Sequence, residues 1–285
     1  MPIRIVTDSS CDLPAEITDR DDINVVPLYV NIGEKSYLDG IELSRADFYE
    51  GLPDFKNHPT TSAPGLGTFA DLYDRLAAEG ATEILSIHIS ATLSNTVNVA
   101  RLAAEATKSV PVTVFDTGNL TLGVGLMVLD AAEAAAAGRP MDEILAMLAD
   151  KSRRTYSFAA LDTLEYLRRS GRLSRFQSSL GAVLQIKPLL TMHDGEMSLE
   201  RVRTRRRAME RVIELSREVG PLEQLAVVHT HEPKRANDLR QQAIDLIPED
   251  NRYLSAEVTP VIGTHVGPGA VGLVAVASRA PKHQT

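Results

Sequence analysis

Through the first half of the chain, short apolar β-rich runs alternate with stretches of helical period, and this alternation restricts the fold more than any other feature. Ile3 to Thr7, Val25 to Val30, Ile84 to Ile89 and Val110 to Phe115 read as strands. Between them, Gly65 to Glu79 sets Leu66, Phe69, Tyr73 and Leu76 on one stripe, Ser94 to Ala106 is helical, and an alanine-rich helix runs from about Leu120 to Ala137. Strands separated by helices of this length imply βαβ crossovers and a parallel sheet. Pro27 makes the second run an edge or irregular strand. Asp12 is placed to cap a helix with Pro14 in its first turn, and Ser44 to cap a short helix reaching Glu50.

Gly138-Arg139-Pro140 ends the alanine-rich helix, and another follows to about Ser152. Beyond it the pattern changes. Gln185 to Met192 and Met197 to Arg203 flank His193-Asp194-Gly195-Glu196, where Asp-Gly signals a tight hairpin. Thr204 to Glu218 and Pro233 to Ile247 read as helices, and Leu225 to His229, Tyr253 to Val258 and Val271 to Ala277 as strands. The expected fold is α/β: an N-terminal parallel-sheet domain over residues 1–152 and a C-terminal α+β domain with a mixed sheet over 153–285. At 285 residues, two modest domains can each bury a core.

Three Ser/Thr-rich junctions fall where strand readings give way to helix readings: Asp8 to Asp12, Thr60 to Pro64 and Ser90 to Thr96. In a parallel sheet the carboxyl ends of the strands line one edge, where such folds bind ligands. Hydroxyls and free N–H groups at helix starts suit an anionic group there, although helix capping is the default use of each junction taken singly. Thr61, Ser62 and Ser94 are the candidates; as neutral donors they would hold a carboxylate unprotonated and intact. Thr264 to Ala270 adds His265 in a turn among small residues, with a structural and a ligand role both open. Asp8 and Asp116 each close a strand and could form a carboxylate pair, although capping or an Asx-turn is the default use of each.

Other chemistry is absent from the pattern. Gly267 to Gly272 matches G-x-G-x-x-G, but a β-rich run follows it and the chain ends before a βαβ unit could fit, so close backbone approach is the better use. No G-x-x-x-x-G-K-[ST] and no G-x-S-x-G occurs. His229 and His231 end a strand, and nothing nearby completes a metal site; no metal and no cofactor is expected. Cys11, the single cysteine, excludes an internal disulfide, fits a reducing cytoplasm and reads as a small buried apolar residue. No signal peptide and no membrane span is expected. The net charge of −8 speaks against nucleic acid, yet residues 151 to 211 hold 14 Lys/Arg against 6 Asp/Glu, densest at Arg201 to Arg207. That run is either a solvated helix face or a docking surface for a phosphate or an acidic partner.

At these residues the chain resembles the DegV family, whose members bind fatty acids as acyl-carrier subunits of bacterial fatty acid kinase. The matching stretches, in order, are Thr7 to Leu13, Thr61 to Pro64, Ile89 to Thr96, Gly171 to Ser174, Arg203 to Arg205 and His265 to Gly272, so the resemblance runs from Ile3 to about Ala277. It implies one fatty acid between two domains, its carboxylate at Thr61, Ser62, Ser94 and His265, with Asn95 and Gly267 beside them and its tail in an apolar tunnel. It further implies a separate ATP-dependent kinase subunit that phosphorylates the carboxylate for phospholipid synthesis. Arg172, Arg203 and Arg205 fall on positions for that partner or for the acyl phosphate. Asn95 stands where the family usually has glycine, and Ala63 where glutamine is common. Two rivals remain from the residues alone: a small-molecule hydrolase or transferase using Ser94 with His265, and an anionic-partner module built on Arg203 to Arg207.

Overall fold

A computed structural model describes residues 3–173, 187–249 and 253–279. The chain begins with β1 (Ile3–Asp8), a 3-10 turn over Ser9–Cys11, α1 (Ala15–Arg20) and β2 (Ile23–Val26). Next come β3 (Tyr29–Ile32), β4 (Lys35–Leu38), α2 (Arg45–Gly51) and β5 (Thr60–Ser62). Then follow α3 (Leu66–Ala78), β6 (Glu83–His88), α4 (Thr96–Ala106), β7 (Val112–Asp116), α5 (Leu122–Ala136) and α6 (Met141–Ser152). Strands β2-β1-β6-β7 form a parallel sheet, as the alternating pattern predicts. Strands β4-β3-β5 form a small antiparallel sheet that the sequence reading does not contain.

The run expected as one strand from Val25 to Val30 is therefore two strands in different sheets. Pro27 offers no N–H, and the Leu28 N–H leaves the ladder for Ser9 Oγ at 3.2 Å. Thr60–Ser62 is itself the strand, so the step from strand to helix falls at residues 63–65, just before α3. Ser44 caps α2 as expected, its Oγ accepting from the Asp47 N–H at 3.1 Å. Asp12 does not cap α1, whose N-cap is Pro14; it sits at φ 56° with its buried carboxylate accepting from Thr121 Oγ1 at 2.5 Å and the Thr259 N–H at 2.8 Å. On α3, Phe69, Tyr73 and Leu76 are buried, but Leu66 lies in the first turn beyond the sheet and is 44% exposed.

After Ser152 the chain enters the second sheet through β8 (Thr155–Ala160), which the pattern did not reveal, and α7 (Glu165–Arg169). It continues through β9 (Lys187–His193), β10 (Glu196–Val202), α8 (Arg205–Glu218), β11 (Leu222–His229) and α9 (Pro233–Gln242). It closes with β12 (Tyr253–Glu257), α10 (Pro260–Val266) and β13 (Val271–Ala277). The strand order is β10-β9-β8-β13-β11-β12, antiparallel except for β11 with β12, so the C-terminal domain has a mixed sheet. Asp194 at φ 47° and Gly195 at φ 79° make the β9–β10 turn, the two positive φ values that a two-residue hairpin requires. Gln185 and Ile186, expected in the first hairpin strand, and Ser174 of the fourth motif lie outside the described residues. The helix expected to run from Pro233 to Ile247 ends at Gln242, with a 3-10 turn over Ile244–Leu246.

One core cluster joins the two larger sheets. It takes Ile5, Leu85 and Ile87 from the parallel sheet, Leu190, Met192 and Val274 from the mixed one, and most of α5 between them. The first two turns of α5, Leu122 to Val128, are apolar and buried all round, which suits a segment covered on every face. Its small residues permit close contact: a Cβ on Gly125 would come within 2.6 Å of the Cys11 carbonyl oxygen. Cys11 is buried there, and burial pushes its thiol well above the usual range, so it is packing and not a nucleophile.

Candidate functional site

The loop leaving β6 is held from several sides. The Ser90 N–H donates to the Asn119 carbonyl at 2.9 Å, the Asp116 carboxylate accepts the Ala91 N–H at 3.3 Å, and Thr92 Oγ1 donates to the Gly195 carbonyl at 2.9 Å. The hairpin tip of the mixed sheet therefore pins the loop that ends the parallel sheet. Ser94 Oγ accepts from the Thr96 N–H at 3.3 Å and lies 2.8 Å from Thr96 Oγ1, closing the start of α4. Asn95, the N-cap, sits at φ −79°, so this position does not require glycine here.

From the opposite side, β5 presents Thr61 and Ser62, and α10 presents His265. Thr61 Oγ1 and His265 Nε2 are 2.9 Å apart, tying β5 to α10 across 204 residues of sequence. His265 was expected in a turn; instead it occupies the last turn of a helix. Pro260 follows the Thr259 N-cap in the position where proline suits a helix start. The β-branched Val261, Ile262, Thr264 and Val266 have weak helix propensity, and their burial overrides it. Gly267 ends α10 at φ 75°, and a Cβ there would lie 2.2 Å from the Tyr166 ring.

Between these elements lies a cavity of about 420 Å³. Thr61, Ser62, Ser94, Asn95, His265 and Arg172 line it, so five of the six residues read for the ligand and one of the three read for the partner converge on one space. The remaining wall is apolar, with Leu28, Ile89 and Leu120 from the N-terminal half and Leu190, Met197 and Ile262 from the C-terminal half. Gly267 is not among the lining residues; it shapes the turn behind His265. Arg205 lies off the cavity in a two-bond ion pair with Asp162, and Arg203 is exposed just before α8. Arg172 donates to the Ser170 carbonyl at 2.7 Å.

The first junction is scaffold. Asp8 accepts from the Ser10 N–H at 3.0 Å, and Ser9 Oγ donates to Asp39 at 2.7 Å; neither serine reaches the cavity. Behind them runs a buried chain that the sequence reading missed. Asp8 Oδ2 meets His88 Nδ1 at 2.8 Å, His88 Nε2 meets Ser86 Oγ at 2.7 Å, and Ser86 Oγ meets Tyr73 Oη at 2.8 Å. Ser86 and His88 stand at period 2 in an otherwise apolar strand, which was the available signal. The order of contacts is that of a Ser-His-Asp triad, yet all three side chains are 0% exposed and none lines the cavity. Within the cavity, His265 Nε2 is engaged with Thr61 and Ser94 Oγ with Thr96, so no hydrogen bond joins the Ser94–His265 pair that the hydrolase rival needs.

The other candidates have structural partners. Asp116 also accepts the Gly118 N–H at 3.0 Å, the Asx-turn expected of it. His229 Nδ1 accepts the Glu232 N–H at 3.2 Å, while His231 stacks on Tyr49 and pairs with Glu257. In the glycine motif, a Cβ on Gly272 would lie 2.4 Å from the Phe158 carbonyl oxygen, so the glycine serves close approach of β13 to β8. Of the basic run, Arg205 pairs with Asp162, Arg206 with Glu210 and Arg207 with Glu214, which makes its helical end a largely self-neutralised face. Among the described residues no helix is long and apolar enough to cross a membrane.

Comparison with known proteins agrees with this fold. The DegV family, described as uncharacterised proteins, matches residues 2–278. A DegV domain-containing protein of Streptomyces coelicolor is 40% identical over 281 residues, covering 97% of this chain and 99% of its own. A fatty-acid-binding DegV family protein of Thermus thermophilus superposes with a TM-score of 0.89 at 36% identity, over 98% of this chain and 100% of that one. DegV of Bacillus subtilis, a fatty acid binding protein, superposes with a TM-score of 0.87 at 30% identity, again over 98% and 100%.

Proposed function

Because this chain belongs to the DegV family, we propose that it binds a long-chain fatty acid and presents it to a separate kinase. In this reading the carboxylate sits at Thr61, Ser62, Ser94 and His265, with Asn95 beside it. The acyl tail runs between an N-terminal domain of residues 1–152 and a C-terminal domain of residues 153–285. The observation that carries the reading is that one cavity is lined both by the hydroxyls of Thr61, Ser62 and Ser94 with the His265 imidazole and by leucine, isoleucine, valine and methionine side chains. A volume of about 420 Å³ falls in the range of small-molecule sites, roughly 300–1,000 Å³.

The two kinds of lining assign affinity and identity to different parts of the ligand. Each buried methylene contributes about 0.8 kcal/mol, so a long tail gains on the order of 10 kcal/mol before association costs. The head group adds hydrogen bonds from neutral donors, which favour the charged form without taking or giving a proton. The N–H groups at the start of α4 contribute in the same direction.

Such a site holds a carboxylate ready for chemistry supplied by another protein. In phosphorylation, a carboxylate oxygen attacks the γ-phosphorus of ATP, the bond to the ADP oxygen breaks, and an acyl phosphate forms for phospholipid synthesis. The ATP belongs to the kinase subunit, so this chain acts as a cytoplasmic carrier and not as the enzyme. The fatty acid is its ligand, with no cofactor or metal involved. Arg172 at the cavity wall, with Arg203 and Arg205 outside it, would receive the kinase or the new phosphate. Native mass spectrometry of freshly purified protein tests the binding step: one fatty acid per chain is expected. Finding neither bound lipid nor uptake of added palmitate or oleate would overturn it.

A further inference from the structure

We propose that the last carbons of the acyl chain occupy a second chamber, and that its floor, where β8 meets β13, sets the longest chain accepted; this rests on the fatty-acid reading above. The chamber, about 40 Å³, shares Leu120, Leu190, Ile262 and Val266 with the larger cavity, so the two adjoin across an apolar ring. A water-sized group needs roughly 10–15 Å³, which gives the chamber room for about three groups, the terminal methyl and the methylenes next to it.

Its wall has nothing to offer a polar guest. The three hydroxyls that line it are engaged within the protein. Thr121 Oγ1 donates to Asp12 at 2.5 Å, Ser157 Oγ donates to Asn119 Oδ1 at 2.7 Å, and Thr230 Oγ1 accepts the Ala270 N–H at 2.7 Å. His229 accepts the Glu232 N–H, and burial lowers its pKa, which favours the neutral ring. The remaining side chains facing it, among them Ala159, Leu161, Val228 and Val258, are apolar. Such a wall accepts an alkyl end and rejects water or a second polar group.

The floor also cannot retreat. Ala159 is paired with Gly272 on one side and Leu190 on the other, at the centre of a six-stranded sheet. The backbones of β8 and β13 approach so closely that a Cβ on Gly272 would meet the Phe158 carbonyl at 2.4 Å. A chain one or two carbons too long must therefore buckle in the larger cavity or withdraw its carboxylate from Thr61 and Ser94.

Titration of the delipidated full-length protein with saturated fatty acids from ten to twenty carbons tests this. For the wild type, Kd should tighten about 4-fold per added methylene up to one length and then stop improving. Ala159→Val, which fills the chamber, should move that break about two carbons shorter while changing ten-carbon binding less than 2-fold. Val228→Ala, which deepens it from the same sheet face as Ala159, should move the break longer. A break at the same length in a variant as in the wild type, or a loss equal at every length, would overturn the chamber while leaving the fatty-acid reading intact. No binding of any fatty acid by the wild type would overturn both.

Discussion

Replacing Asp39 with asparagine should stabilise the protein, and the gain should grow with pH. Asp39 follows β4 and is 2% exposed. One carboxylate oxygen accepts from Ser9 Oγ at 2.7 Å, while the other is buried without a hydrogen-bond partner. Burial pushes the carboxyl up to about 7, and the buried charge of Asp12 adds to the rise; Ser9, Arg45 and Thr259 oppose it. The unfolded value is near 4, so the interval is about three pH units, or about 4 kcal/mol at 1.36 kcal/mol per unit. The sign follows from proton affinity. The folded state holds this proton more tightly than the unfolded chain, so the contribution is full below pH 4, falls as pH rises towards 7, and is flat above it. Asparagine keeps the shape without the charge. Asp39→Asn should therefore exceed the wild type by about 1 kcal/mol or less at pH 4.5 and by about 4 kcal/mol at pH 8. Urea midpoints and m-values for both proteins at pH 4.5, 6, 7 and 8 measure this. A difference that does not change with pH, or a variant less stable at pH 8, would refute the reasoning.

Two further substitutions separate head-group recognition from the scaffold. Thr61→Ala and Ser94→Ala should each weaken palmitate binding about 10-fold or more, the effect of a lost hydrogen bond to a charged group, while hexadecanol changes by less than about 3-fold; equal losses for both ligands would contradict the assignment. Lys151 is 1% exposed and donates to Asp130 at 2.5 Å, Gln224 at 2.5 Å and the Leu126 carbonyl at 3.2 Å. Lys151→Met should cost about 3–5 kcal/mol in urea unfolding because Asp130 loses its cation, and adding Asp130→Asn should restore more than half. No change on the single substitution would refute that pairing.

The parallel sheet was legible because each of its strands is a short apolar run set off by helices, and period and length identify such runs. The hairpin was legible from Asp194-Gly195 alone. The small sheet of β3, β4 and β5 was not, because Lys35–Leu38 and Thr60–Ser62 are short with half or more of their residues exposed, and β5 pairs with β3 some thirty residues away. Thr61 was found for its chemistry but placed on the wrong element for the same reason. His265 was picked out while its helix was missed, since β-branched neighbours conceal a helix that only tertiary packing stabilises. Asp12 illustrates the opposite failure: a residue type suited to capping was spent on a contact 247 positions away, to the Thr259 N–H. Leu120, Leu190 and Met197 could not be assigned to the cavity from sequence, because a leucine facing a ligand and one facing the core look alike. The motif resemblance carried the convergence of Thr61, Ser94 and His265, which no local pattern specifies.

The central claim is that this cavity holds a fatty acid's carboxylate at its hydroxyls and its tail along its apolar wall, and a crystal structure of the protein with bound palmitate tests it most directly. The carboxylate should lie within about 3.2 Å of Thr61 and Ser94 hydroxyls, with the chain running past Leu190 towards Ile262 and Val266. A carboxylate against the apolar wall of the cavity, or palmitate bound elsewhere on the chain with this cavity closed to it, would contradict the account.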